Sequence, residues 1–182
     1  QSGTVNNGTT MDLMFLSGTP TAVAQFYYDN SGYVRSVTGT RSRASTTDGN
    51  GTYTAASTVP GSFICHLGQK TLGSSIKAQS CGEVISVDGN RSTGAMTGGN
   101  YVIVRNTQSG AGTIRTSGTG TLICFEGDSG GPVFANTIAY GVTSACLWAN
   151  NATSSPADGT ALYLMYTSVD YFSSIGVSIL VQ

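Results

Sequence analysis

The sequence predicts an all-β protein. Glycine is abundant, at 25 of 182 residues. Ser and Thr supply a further 23 and 25 residues, a composition that favours turns and extended chain over helix. The apolar runs are short, and each is bounded by Gly, Asn or Ser. Apolar residues at 3.6-residue spacing are scarce, so few helices are expected.

In chain order, strands are expected at Leu13 to Leu16, Tyr33 to Val37, Tyr101 to Val104, Pro132 to Phe134 and Ile138 to Thr143. Asp88-Gly89-Asn90 and Thr97-Gly98-Gly99-Asn100 read as turns, because Gly and Asn tolerate positive φ. The stretch Thr38 to Val59 is rich in Ser, Thr and Gly and reads as a mobile surface loop. One helix is expected near the end. Tyr166, Val169, Tyr171, Phe172 and Ile175 fall at roughly helical spacing; Thr167-Ser168 could cap it and Gly176 could stop it.

Composition excludes several functions. Charged residues make up 9% of the chain and the net charge is −1, whereas disorder goes with high net charge and low hydrophobicity. Eight Lys and Arg form no basic stripe, so no nucleic acid partner is expected. The longest apolar runs, such as Ser178 to Val181, fall far short of the roughly 20 residues that span a bilayer, so no membrane partner is expected. No cofactor or metal is expected either. The single His66 adjoins Cys65, but no Cys-x-x-Cys spacing accompanies it.

The four cysteines, Cys65, Cys81, Cys124 and Cys146, allow three disulfide pairings. We favour the sequential one, Cys65–Cys81 and Cys124–Cys146, in which each bridge closes a loop worth about 3 kcal/mol in the chain-entropy model. Asn-x-Ser/Thr sequons at Asn7, Asn50, Asn90 and Asn151 are candidate glycosylation sites.

One segment carries chemistry: Gly127-Asp128-Ser129-Gly130-Gly131-Pro132. It reads as a sharp turn that presents one hydroxyl. Backbone N–H groups of Gly127 and Ser129 could point at one spot and stabilise a developing oxyanion. The following glycines keep room for a substrate carbonyl. Asp128 is expected to be buried, and to need a cationic partner there.

This string resembles the nucleophile motif of the trypsin/chymotrypsin serine proteases. Phe63 to Gly68 followed by Cys81 to Val84 looks like the paired-cysteine segment of the secreted bacterial branch, the streptogrisin and alpha-lytic protease type. Ala139 to Ser144 resembles the strand lining its cleft, and Leu162 through Ser178 its terminal helix and tail. The resemblance implies a chymotrypsin-like double β-barrel. This chain would supply the end of the first barrel (1–20), a connector (21–32) and the whole second barrel with a C-terminal helix (33–182). It also implies a secreted, extracellular serine endopeptidase acting on protein or peptide, with Ser129 as nucleophile and Gly127 and Ser129 as the oxyanion hole. Thr143, Ser144 and Ala145 would pair with the substrate backbone. An internal arginine would pair with Asp128, the candidates being Arg35, Arg41, Arg43, Arg105 and Arg115.

The triad is where the pattern departs. Asp12, ahead of Leu13 to Leu16, resembles the aspartate that orients the catalytic imidazole. No histidine precedes it. His66 follows it, beside a structural cysteine, and reads as a surface or packing residue. The expectation is therefore a cleaved enzyme in which Gln1 is a new terminus and a companion chain carries the histidine. The alternative is a catalytically inactive homologue acting as a binding or structural module. The stretch Leu122, Ile123, Phe125 has no Asp, so a Lys or Arg preference is not expected; small or apolar residues are.

Overall fold

The computed structural model describes residues 23–27, 34–43, 57–71, 80–89, 101–107, 121–149, 152, 154–173 and 176–182, and the main chain of 3–7, 12–16, 72–73, 90–91, 98–100 and 174–175. Its centre is a closed barrel of six antiparallel strands: β6 (Phe63–His66), β7 (Ser80–Arg91), β8 (Gly98–Arg105), β9 (Pro132–Ala135), β10 (Ile138–Leu147) and β11 (Tyr163–Ser168). The hydrogen-bonded order runs β6, β7, β8, β11, β10, β9 and returns to β6, so no strand of the ring leaves an unpaired edge.

Three features lie outside the ring. Strands β1 (Gly3–Asn7) and β2 (Asp12–Leu16) form one hairpin, and β3 (Gln25–Tyr27) and β4 (Val34–Ser36) form another. Strand β5 (Gly39–Thr40) adds to β10 in parallel. The expected all-β class stands, with a closed barrel at its centre.

Alternation explains how the barrel fills. On β8, Val102 and Val104 are fully buried, while Ile103 and Arg105 between them are partly exposed. Ile64, Val84, Leu122, Val133, Leu164 and Tyr166 join them in one core. Both disulfides have the sequential pairing: Cys65–Cys81 bridges directly paired positions of β6 and β7, and Cys124–Cys146 ties the segment before the serine loop to β10.

Several local expectations are corrected. Asp88-Gly89-Asn90 is not a turn but part of β7, and Gly98 to Asn100 opens β8; Thr97 lies outside the described residues. Gly89 serves close packing instead: a Cβ there would meet the Ile103 side chain at 2.2 Å. The terminal helix begins at Val169, not Tyr166, and is a 3-10 helix running to Ile175. Tyr166 is spent on β11, where its ring is fully buried, so barrel closure overrides the helical spacing. Gly176 does end the helix, in the left-handed conformation at φ 73°. Within the expected surface loop, Gly39–Thr40 is β5 and Arg43 bridges to Thr58; residues 44–56 lie outside the described residues. A short helix that the sequence reading missed, α1 (Gln69–Gly73), follows β6. It becomes important at the site.

Candidate active site

The serine loop joins residue 125 to β9. It is a tight turn in which Gly127 and Gly130 adopt φ +96° and +83°, values that an L side chain would strain. Asp128 N–H donates to the Phe125 carbonyl, Gly130 N–H to the Thr143 carbonyl and Gly131 N–H to the Asp128 carbonyl. Among the described residues, the N–H groups of Gly127 and Ser129 have no protein acceptor. Ser129 is exposed at the tip, and its hydroxyl donates to the Ser144 carbonyl at 3.3 Å.

Beneath the serine, Asp128 is fully buried. No cationic partner for it stands among the described residues. Its Oδ1 accepts from the Thr71 N–H at 2.9 Å, and its Oδ2 accepts from the Thr71 hydroxyl at 2.6 Å and the Phe125 N–H at 2.9 Å. Three of the five candidate arginines are engaged elsewhere. Arg43 pairs with Asp88 and Asp170, Arg105 pairs with Glu83, and Arg41 lies over the Tyr140 ring. Arg35 is on β4, and Arg115 lies outside the described residues. The physical reason is that a buried carboxyl needs donors, and a helix start has spare ones. Thr71 is the third residue of α1, so its N–H has no partner within the helix.

The close approach depends on small residues. A Cβ on Gly68 would fall 2.2 Å from the Asp128 side chain, and one on Gly131 would fall 2.6 Å from the Leu67 carbonyl. Gly68 thus lets the turn into α1 lie directly on Asp128. Nothing local in the sequence marks Thr71 as its partner; only the folding of α1 against the serine loop does.

His66 is a packing residue. On β6 it shares the inward face with Ile64 and is 1% exposed. Its Nε2 lies 2.7 Å from the Ile123 carbonyl, which can only accept, so the proton sits on Nε2. Nδ1 is then left to accept from the Thr143 hydroxyl at 3.3 Å. Burial pushes its pKa below the ordinary histidine value, against the opposing pull of the Ile123 bond and the Asp128 carboxyl. Both ring nitrogens are occupied within the core. The Ser80 hydroxyl also donates to the Ile123 carbonyl, at 2.7 Å, fixing the segment that leads to the serine loop.

The residues expected to bind substrate divide. Thr143 N–H donates to the Gly131 carbonyl and its carbonyl accepts from Gly130, so its main chain is committed to the serine loop. Ser144 is buried at a bulge in β10, its hydroxyl 2.9 Å from that of Thr167. Ala145 resumes the ladder opposite Met165 and is half-buried. Asp12 stands first in β2, opposite Asn7; its side chain lies outside the described residues. The main chain of β2 approaches β10, the strand that holds the serine loop. Of the sequons, Asn7 and Asn90 fall within β1 and β7, with their side chains outside the described residues, as are Asn50 and Asn151 altogether. A cleft of about 430 Å³ opens beside Ser129, with Phe26 and Tyr27 of β3 on its wall. The sequence reading had placed both aromatics in a connector.

No family model and no curated protein matches the sequence. Solved structures do match in fold. The chymotrypsin of Cellulomonas bogoriensis is 17% identical, with a TM-score of 0.63 over 99% of this chain and 75% of that one. The Nocardiopsis protease is 22% identical, with a TM-score of 0.59 over 94% and 70%. Thermobifida fusca protease A is 17% identical, with a TM-score of 0.58 over 93% and 67%. The chain therefore shares the chymotrypsin-like fold of these bacterial proteases.

Proposed function

We propose that the chain is the nucleophile-bearing part of a secreted serine endopeptidase. One observation carries this reading. The motif Gly-Asp-Ser-Gly-Gly-Pro sits on a turn that exposes Ser129 and leaves the N–H groups of Gly127 and Ser129 without acceptors among the described residues. Ser129 Oγ forms a bond to the scissile carbonyl carbon while an imidazole takes its proton. The carbonyl oxygen, now an anion, is held by the N–H groups of Gly127 and Ser129. Collapse breaks the C–N bond, the imidazole returns the proton to the leaving amine, and water then hydrolyses the acyl-serine.

The imidazole comes from outside these 182 residues, because their single histidine is spent on the Ile123 carbonyl and Thr143 in the core. Asp12 orients it. The locked His66 also favours a second reading, an inactive homologue that uses the fold for binding.

A fluorophosphonate probe on the native, unfractionated protein separates the two, read as the intact mass of this chain. The protease reading expects one adduct, lost in Ser129→Ala. An intact fold that acquires no adduct would overturn it in favour of the binding module.

A further inference from the structure

Two backbone donors and one lysine meet at the serine loop. Among the described residues, the N–H groups of Gly127 and Ser129 have no acceptor. The side chain of Lys70, on α1, crosses the same turn. Its Cγ lies 3.2 Å from the point where a Cβ on Gly127 would stand, so the apolar stem covers Gly127 and the exposed end of the side chain is left in water. Lys70 makes no ion pair among the described residues. Its stem is short enough that in every rotamer the ammonium stays within about 10 Å of the Gly127 N–H, close to one Debye length at physiological salt. Carboxylates stand in sequence on either side of Gly127, and they differ. Asp128 turns inward, onto Thr71 and the Phe125 N–H. Glu126 is exposed, forms no ion pair among the described residues, and opposes Lys70 from the same turn. Adjacent backbone N–H groups with a cation beside them are the chemistry that captures the carboxylate at a peptide's end.

From these observations we propose that the serine loop and Lys70 together form a carboxylate site that takes the free C-terminus of a peptide. A carboxylate oxygen accepts from the N–H groups of Gly127 and Ser129, and Lys70 supplies an attraction that a neutral amide does not feel. The two donors are those that the protease reading assigns to the oxyanion. On that reading the occupant is the acyl product of hydrolysis, which leaves as a carboxylate and competes with fresh substrate. On the binding reading the occupant is the ligand itself. In both cases the carboxylate is held without any chemistry at Ser129. Coulomb's law for unit charges about 8 Å apart, with a dielectric between that of water and that of a protein surface, makes Lys70 worth about threefold or more in affinity at low salt.

The test titrates N-acetyl-alanyl-alanine and its C-terminal amide into the whole isotope-labelled protein at low, constant ionic strength, and follows the backbone amide NMR shifts of Gly127 and Ser129. The acid should shift both and bind about threefold or more tighter than the amide. Lys70→Met keeps an apolar stem over Gly127 and removes the charge; it should weaken the acid about threefold or more and leave the amide unchanged. Lys70→Arg should hold the acid within about twofold of the parent, and Glu126→Gln should tighten it about threefold. The gap between the parent and Lys70→Met should close in about 1 M salt. Lys70 and Glu126 are both exposed, so the variants should keep their fold, checked by unchanged shifts at Ile64 and Val104. An acid that binds no better than its amide, or Lys70→Met binding as the parent does, would overturn the proposal. The fluorophosphonate separates the two sources of the carboxylate. An adduct on Ser129 that the acid suppresses marks the carboxylate as product. A protein that takes no adduct and keeps the Lys70-dependent binding loses the protease reading and retains the site.

Discussion

The Thr71–Asp128 contact predicts that a residue 58 positions from Ser129, the proposed nucleophile, governs its reactivity. Thr71→Val is nearly isosteric, so it removes a hydroxyl without opening a cavity. The lost bond is 2.6 Å long and ends on a fully buried carboxyl. Bonds of this kind contribute about 1.5–3 kcal/mol, and a buried acceptor left unsatisfied adds its desolvation cost. Two donors remain, the N–H groups of Thr71 and Phe125, each at 2.9 Å. We therefore expect a loss of about 2 kcal/mol in stability, or about 4–8 °C in Tm for a chain of this size. Because the same carboxyl anchors the turn bearing Gly127 and Ser129, labelling of Ser129 by fluorophosphonate should slow about tenfold to thirtyfold. Thr71→Ser keeps the hydroxyl and loses only a buried methyl, about 0.8 kcal/mol. It should be labelled within about threefold of the parent rate. The comparison separates positioning from bulk stability, since both variants are destabilised and only one loses the hydrogen bond. Labelling of Thr71→Val at the parent rate, or equal slowing in the two variants, would refute the reasoning.

Two further outcomes follow from the same geometry. Gly68→Ala places a methyl 2.2 Å from the Asp128 side chain, so the carboxyl or α1 must shift; labelling of Ser129 should fall at least tenfold, and an unchanged rate together with unchanged Tm would show that the contact yields freely. The buried His66 has a lowered pKa, so below about pH 6.5 the unfolded chain binds a proton that the folded chain refuses. Stability should then fall as pH falls, by up to about 1.4 kcal/mol per unit, until the folded imidazole itself protonates. His66→Gln retains a donor for the Ile123 carbonyl and should flatten that slope between pH 6.5 and 5 in urea titrations at fixed salt, while an unaltered slope would assign it to other groups.

Much of the fold is legible in local composition. The runs around Tyr101 to Val104, Pro132 to Phe134 and Ile138 to Thr143 become strands because short apolar stretches between Gly and Asn have few other ways to be buried. The serine turn is legible for a similar reason, since its two positive-φ positions both require glycine. Strand β7 is not. Asp88-Gly89-Asn90 has the local chemistry of a turn, but β8 lies alongside and the missing Cβ of Gly89 makes room for Ile103. Tyr166 is a second case. Its spacing fits the helix that follows, yet pairing with Val102 on β8 and Thr143 on β10 draws it into the barrel wall.

The site divides along the same line. The sequence by itself supplied the candidate nucleophile, the two candidate oxyanion donors and the count of one histidine, because each depends on residue identity within six positions or on a simple count. It also carried the disulfide pairing, since neighbouring cysteines close the shorter loops. Only the tertiary structure decided that Asp128 accepts from Thr71, that His66 faces the core, and that Phe26 and Tyr27 wall the cleft. Those three facts rest on contacts between residues 40 to 106 positions apart in the chain. Which donor satisfies a buried carboxyl, or which ring borders a serine, is set by how β3, β6 and α1 pack around the loop, and no local rule of propensity or spacing encodes that packing.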